Sequence, residues 1–389
     1  MADGFDVVYF ASVDWGHTWQ RPQQLASRLA GQGRVLYVDP LGLRTPRASD
    51  LGRLGRRGKA HAPPDLTVRS PAVWIPLPAS RAAAAVNGAL LRRLVRRWMR
   101  RTGVTRPVAW VGTPSPSALA ALEGLPWRLV AYDAHDAFEQ FHGDGGGVLE
   151  TEEALARRAD VVFATSALLH DRARRLNPHV CRLPNAADYH HFAREIAPHE
   201  IPSEVRALPR PVVGYVGEVA GWFDTSLVHA LAVRHPTWSI VLVGPITGDA
   251  RDGLTGANVH LLGRRRYSEL PRYLAAFDCC LIPFRASPLT AAVSPIKLYE
   301  YLAAGKPVVS TPLPSVLPFE GDVFVAAGPR FLEAVEEAVA GGRDRSAAEA
   351  RRRRARGNTW DQRVARILEA LGEADTARHA GLEPARAAR

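Results

Sequence analysis

Two series of short apolar runs, each interleaved with segments of helical period, restrict this chain to a parallel α/β architecture. The first series reads DVVYFAS, RVLYVDP, VAWVG, LVAYDAH, DVVFATS and CRLPN; the second reads VVGYVG, SIVLVGP, VHLLG, CCLIPF, PVVST and VFVAAG. Runs of this kind separated by helical patterns such as RPQQLASRLAGQG, AAVNGALLRRLVRRWMRR and DTSLVHALAVRH mark βα units. A chain of 389 residues also exceeds one ordinary core. Between the series lies DYHHFAREIAPHEIPSEVRALPRP, whose proline and charge read as a connection. The expectation is two Rossmann-type domains facing each other across a cleft, over 1–190 and 211–345 with a linker at 191–210. C-terminal helices follow over 346–372, and a tail at 373–389 is expected to be disordered.

Composition narrows the class. A hydrophobic fraction of 47% with 23% charged residues is that of a soluble globular protein. FDVVYFASVDWGH begins like a buried strand rather than a leader, and no apolar run approaches the ~20 residues of a membrane span. Cys181, Cys279 and Cys280 form neither a disulfide framework nor a metal spacing, which fits a cytoplasmic setting. The net charge of +11 sits largely in 51–60, 90–103 and 350–357. No aromatic interleaving or zinc-finger spacing accompanies these runs, so a nucleic-acid partner is not expected.

In parallel sheets ligands bind beyond the carboxyl ends of the strands. That rule selects the loops 14–21, 133–136, 217–222, 263–267 and 285–297. The last runs into SPIKLYEYLAAGKP, which holds two of the chain's three lysines, Lys297 and Lys306. Ser294 is placed to cap a helix there, with Pro295 at its first position and Gly305 and Pro307 ending it. Lys297 and Glu300 lie three apart, on one face near the positive end of the helix dipole. Lys306 falls past the helix end, where a cation suits the negative pole.

These motifs, in this order, resemble a GT-B glycosyltransferase of the retaining family-four type. YDAHD (132–136), ADVVFATS (159–166), LPNAADYHHF (183–192), GYVG (214–217), LVGP (242–245) and SPIKLYEYLAAGKPVVS (294–310) carry the resemblance. DWGHTWQRPQQLASRLA (14–30) with GEVAGWFD (217–224) is similar to the subgroup typified by teichuronic acid and related polysaccharide glycosyltransferases.

The resemblance implies an acceptor-side first domain, a donor-binding second domain and a last helix that crosses back to the first. It implies a nucleoside diphosphate sugar (UDP or dTDP) as co-substrate, with no cofactor and no metal. Glu300 would accept hydrogen bonds from both ribose hydroxyls. The backbone around Val293, Ser294, Pro295 and Ile296 would hold the diphosphate, with Lys297 adding a compact charge. Gly217 would let the donor approach closely. Gly263 and Arg264 would lie near the base or ribose, and Arg285 near the diphosphate. In the first domain His135 would meet the donor sugar, with Asp136 positioning it or capping the next helix. Asp14, Trp15, Gly16, His17 and Arg21 would form the acceptor side.

Two positions depart from the family pattern. Where a second glutamate commonly stands, eight positions before Glu300, this chain has Ala292. Where basic residues often follow the GYVG-like strand, it has Glu218.

LLRRLVRRWMRR is amphipathic, with Leu90, Leu91, Leu94, Val95 and Trp98 opposite six arginines. It reads as a domain helix packed on the sheet, or as a peripheral contact with an inner membrane surface. The acceptor would be a glycan, a lipid-linked intermediate or a small natural product. A sugar-nucleotide epimerase of the same fold and an inactive glycan-binding module are the alternatives.

Overall fold

The computed structural model describes residues 4–16, 18–40, 62–71, 75, 80–142, 147–342 and 344–387. His17 and most of the basic stretch at 41–66 lie outside them. The chain forms two compact units, Met1–Pro184 with Arg363–Arg389, and Asn185–Gln362.

The first unit holds seven parallel strands: β1 (Val7–Phe10), β2 (Val35–Val38), β3 (Leu66–Arg69), β4 (Val108–Val111), β5 (Val130–Ala134), β6 (Val161–Ala164) and β7 (Val180–Arg182). Their order is β3-β2-β1-β4-β5-β6-β7, with Val7 opposite both Val35 and Val108. The apolar runs become strands because both sheet faces are covered. Tyr9 stacks on Tyr37 and Trp110, and Trp110 on Phe163, all of them buried. Each such burial stabilises the fold by about 1.5–3 kcal/mol.

β3 is absent from the sequence reading. LTVR alternates buried and exposed positions at the sheet edge, so it lacks the continuous apolar run that marks the interior strands.

The second unit holds β8 (Val212–Val216), β9 (Ser239–Val243), β10 (Val259–Gly263), β11 (Cys279–Ile282), β12 (Val308–Ser310) and β13 (Phe324–Val325). Their parallel order is β10-β9-β8-β11-β12-β13. In each sheet the strand order reverses once, between β1 and β4 and between β8 and β11. Such switch points open a crevice at the strand ends.

Three expectations change. Residues 191–210 are no loose linker: Phe192, in the helix Tyr189–Ala193, and Val205, in the helix Ser203–Arg206, are buried in the core of the second unit. Over its described residues, 373–387, the tail is helical where disorder is expected, since one helix runs Trp360–Ala387. Its Asp375 accepts two hydrogen bonds from Arg128, and Arg378 pairs with Asp160, which ties the helix to the first unit. The third concerns the basic helix Arg81–Thr102. Ser80 caps it and Gly103, at φ 74°, ends it. Its buried face carries Leu91, Val95 and Trp98, as expected of a domain helix, while Leu90 is turned outward rather than inward.

Candidate active site

The helix Ile296–Ala303 follows the short helix Pro288–Ala292 that leaves β11. Pro295, not Ser294, is its N-cap, and no side chain caps it. A proline has no side-chain acceptor, and Ser294 is engaged elsewhere. The Ser294 hydroxyl accepts from the Asn185 amide at 3.2 Å, and Asn185 Nδ2 donates to the Ser294 carbonyl at 2.6 Å. Asn185 thereby fixes the backbone just before the helix. The sequence marks LPNAAD only as a resemblance, and nothing local singles this asparagine out.

With the cap unfilled, the amides of Ile296 and Lys297 make no hydrogen bond among the described residues. Two of the backbone positions expected to hold a diphosphate do not supply a donor. Pro295 has no N–H, and the Val293 amide is turned to Thr290 at 3.4 Å.

Lys297 projects into the switch point. Its Nζ lies 5.2 Å from the ring centre of Tyr215, on β8, and 4.9 Å from that of Phe284, just past β11. These faces hold the ammonium by cation–π attraction, which is stronger away from water. It makes no hydrogen bond or ion pair among the described residues. Burial lowers its pKa to about 8, against the opposing pull of Glu300 and Glu218. Tyr215 and Phe284 are a platform that sequence reasoning missed, because apolar strand ends read as core.

Glu300 is 8% exposed, and its carboxylate has no hydrogen-bond or ion-pair partner among the described residues. Burial raises its pKa to about 7; Lys297 opposes the rise and Asp188 adds to it. Neither Glu300 oxygen is among the fully enclosed atoms that lack a partner, so the carboxylate still opens to solvent, next to the unpaired amides of Ile296 and Lys297.

Three glycines end neighbouring strands. Gly217 has φ 148°, and a Cβ there would lie 2.9 Å from Lys297 Cε and from the Tyr215 hydroxyl. A Cβ on Gly244 would strike the Gly217 carbonyl at 1.9 Å. Gly263, at φ 69°, turns the chain toward Arg264, which is exposed and distant in role from the buried groups. Arg285 is exposed as well; only its backbone is fixed, by Trp222 and Thr290.

Glu218, the unexpected acid after Gly217, accepts from the Thr247 hydroxyl at 3.0 Å. Ala292 is fully buried, so no carboxylate enters from that position. Lys306 does act as a helix-end cation, though for another helix. Its Nζ donates to the carbonyls of Ala275 and Phe277, at the end of Leu270–Ala276.

In the first unit His135 follows β5 and is 7% exposed. Its Nδ1 lies 3.0 Å from the Asp133 carbonyl, which calls for a proton on Nδ1, and Nε2 lies 3.1 Å from the Ser12 hydroxyl. Asp136 Oδ2 is 3.7 Å from Nε2, and burial raises its pKa. It flanks His135 rather than capping a helix.

Two acceptor-side expectations fail on burial. Arg21 is 2% exposed and forms a fork on Asp133 at 2.7–3.1 Å, with a further bond to the Leu183 carbonyl. Trp15 is 3% exposed, packed edge-on against Trp19 and Tyr37, with its amide on Asp39. Neither is presented to a ligand. Asp14 is half-buried and Gly16 exposed.

The two parallel sheets have the GT-B fold. The family described as Glycosyl transferases group 1 matches residues 210–340, inside the second unit. Among curated proteins the chain is similar to TuaH of Bacillus subtilis (strain 168), named as a teichuronic acid biosynthesis glycosyltransferase. The two are 28% identical over 289 residues, spanning 68% of this chain and 71% of TuaH. Among solved structures it is similar in fold to a sucrose-phosphate synthase from Thermosynechococcus elongatus, with TM-score 0.69, 15% identity and coverage of 96% of this chain and 99% of that one. Anabaena HepE in complex with UDP and glucose gives TM-score 0.65 and 17% identity, over 94% and 99%. No helix among the described residues is long and apolar enough to cross a membrane.

Proposed function

We propose that this enzyme transfers a sugar from a UDP or dTDP sugar to a hydroxyl of a glycan, a lipid-linked intermediate or a natural product, with retention at the anomeric carbon. The observation that carries the reading is the Glu300 carboxylate, on a largely buried residue and with no hydrogen-bond or ion-pair partner among the described residues, one helical turn from the Lys297 ammonium. A ribose diol supplies the two donors that such a carboxylate lacks. The diphosphate meets the Ser294, Ile296 and Lys297 amides and the Lys297 charge, all at a helix N-terminus. In the first unit the Nε2 lone pair of His135 exchanges the Ser12 hydroxyl for a sugar hydroxyl.

In the reaction the bond from the anomeric carbon to the diphosphate oxygen breaks, and a bond from the acceptor oxygen forms at that carbon. The acceptor proton leaves with the nucleoside diphosphate or to solvent. Charge grows on the leaving diphosphate, where fixed amides and Lys297 stabilise it. The UDP complex of HepE and the polysaccharide role named for TuaH support the donor and acceptor classes.

The test is titration with UDP- and dTDP-sugars, followed by a watch for slow nucleoside diphosphate release. Binding of one donor with release that Glu300→Ala abolishes is expected. Binding of none would overturn the reading.

A further inference from the structure

The outward face of the helix Arg81–Thr102 plays no part in the proposed chemistry. Val86, Leu90, Arg93, Arg97 and Arg100 recur at spacings of four and three, so they form one stripe along the helix. Its first half is apolar: Val86 is 46% exposed and Leu90 37%. Ile75 is 37% exposed, and its backbone is held to Asn87 by two hydrogen bonds, one residue from Val86. Of the eight exposed large hydrophobic residues among those described, Val86 and Leu90 stand one helical turn apart on this stripe.

The second half is cationic and uncompensated. The helix contains no acidic residue. Arg93, Arg97, Arg100 and Arg101 are exposed and make no hydrogen bond or ion pair among the described residues. Some exposed arginines elsewhere are matched, as Arg157 is by Glu153, Arg234 by Glu336 and Arg330 by Glu333, whereas this helix gathers four unmatched ones within nine positions.

We infer that this stripe is a docking surface for an anionic phospholipid bilayer. The apolar end enters the boundary between headgroups and acyl chains, and the arginines meet lipid phosphates. Charge complementarity selects anionic over neutral lipid. The aliphatic end selects a bilayer over a nucleic acid, which offers it nothing to bury in. Docking of this kind is reversible and places the enzyme at a lipid surface without a membrane span. It stands independently of the donor site.

The experiment is co-sedimentation of the full chain with vesicles of phosphatidylcholine alone and with vesicles also carrying phosphatidylglycerol, at low and high salt. Binding is expected to phosphatidylglycerol vesicles only, and to weaken with salt. Each arginine contributes roughly fivefold, so Arg93→Glu with Arg97→Glu and Arg100→Glu should abolish partitioning. Val86→Ser with Leu90→Ser should lower it severalfold while leaving the lipid preference intact. Melting temperature and donor binding should match the parent in both. If the triple glutamate variant misfolds, the triple glutamine variant gives the same two outcomes. Equal partitioning of parent and arginine variant, or equal binding to both vesicle types, would overturn the inference. So would preferential binding to a duplex oligonucleotide that the same variants lose.

Discussion

Gly217 and Lys297 share one space at the end of β8: a Cβ at 217 would lie 2.9 Å from Lys297 Cε. The glycine is required both for that approach and for its φ of 148°. Lys297 reaches the rings of Tyr215 and Phe284 only because nothing stands at 217. Gly217→Ala should therefore displace the lysine stem and strain the turn, at a cost of about 1–3 kcal/mol. Donor affinity should fall roughly tenfold or more. Calorimetric titration of the variant with the preferred sugar nucleotide checks this, and unchanged affinity with an unchanged melting temperature would refute it.

Glu300 places binding and stability in opposition. Its rise from 4.5 to about 7 on burial means that the ionised carboxylate costs the donor-free protein on the order of 3 kcal/mol. Glu300→Gln removes that charge with little change in volume. The variant should melt higher than the parent at pH 8 and bind donor far more weakly. Thermal denaturation with and without nucleotide separates the two effects. A melting temperature that falls would show that the carboxylate is stabilised by its surroundings.

Arg21 was expected to face an acceptor, and the structure buries it on Asp133 instead. Removing one partner of a buried pair leaves the other charge uncompensated, at about 3–5 kcal/mol. Arg21→Leu should accordingly destabilise the first unit by that order. Arg21→Lys keeps the charge but not the fork, and should recover only part of the loss. Urea denaturation of both variants gives the comparison. A variant with parental stability and a raised acceptor KM would restore the acceptor role.

The parallel sheets and the Glu300 motif were legible because each rests on a local pattern: continuous apolar runs for buried strands, and a punctuated helix with two charges on one face. What was not legible depends on distant contacts. Arg21 and Asp133 are 112 positions apart, and Asn185 and Ser294 are 109 apart. Nothing in either neighbourhood announces the pairing. A Trp-rich loop with mixed charge reads as a surface, yet Trp15 turns inward onto Tyr37. The edge strand β3 escaped because half of its residues face outward. The tail reads as a free terminus, whereas Asp375 and Arg378 hold it through ion pairs to Arg128 and Asp160 of the first unit.

Glu300 and Lys297 titrate close together, at about 7 and about 8, so donor affinity and stability both depend on pH. Under the proposed function the ribose diol binds the Glu300 carboxylate, which is present above about 7. Under the same reading the diphosphate binds the Lys297 ammonium, which is present below about 8. Donor affinity should thus peak between those values and fall on both sides. Lys297→Met should lose the alkaline limb and Glu300→Gln the acid one, each with a lower maximum. Stability runs differently. The Glu300 pKa is raised in the fold, so the native state holds more protons between pH 4.5 and 7, and its contribution falls as pH rises through that window. The Lys297 pKa is lowered, so the unfolded state holds more protons between pH 8 and 10.5, and stability is regained as pH rises there. Both signs are reversed relative to ordinary ion-paired groups, because burial outweighs pairing at each residue. Melting temperature against pH for the parent and the two variants tests the assignment: each substitution should flatten its own window and leave the other sloped.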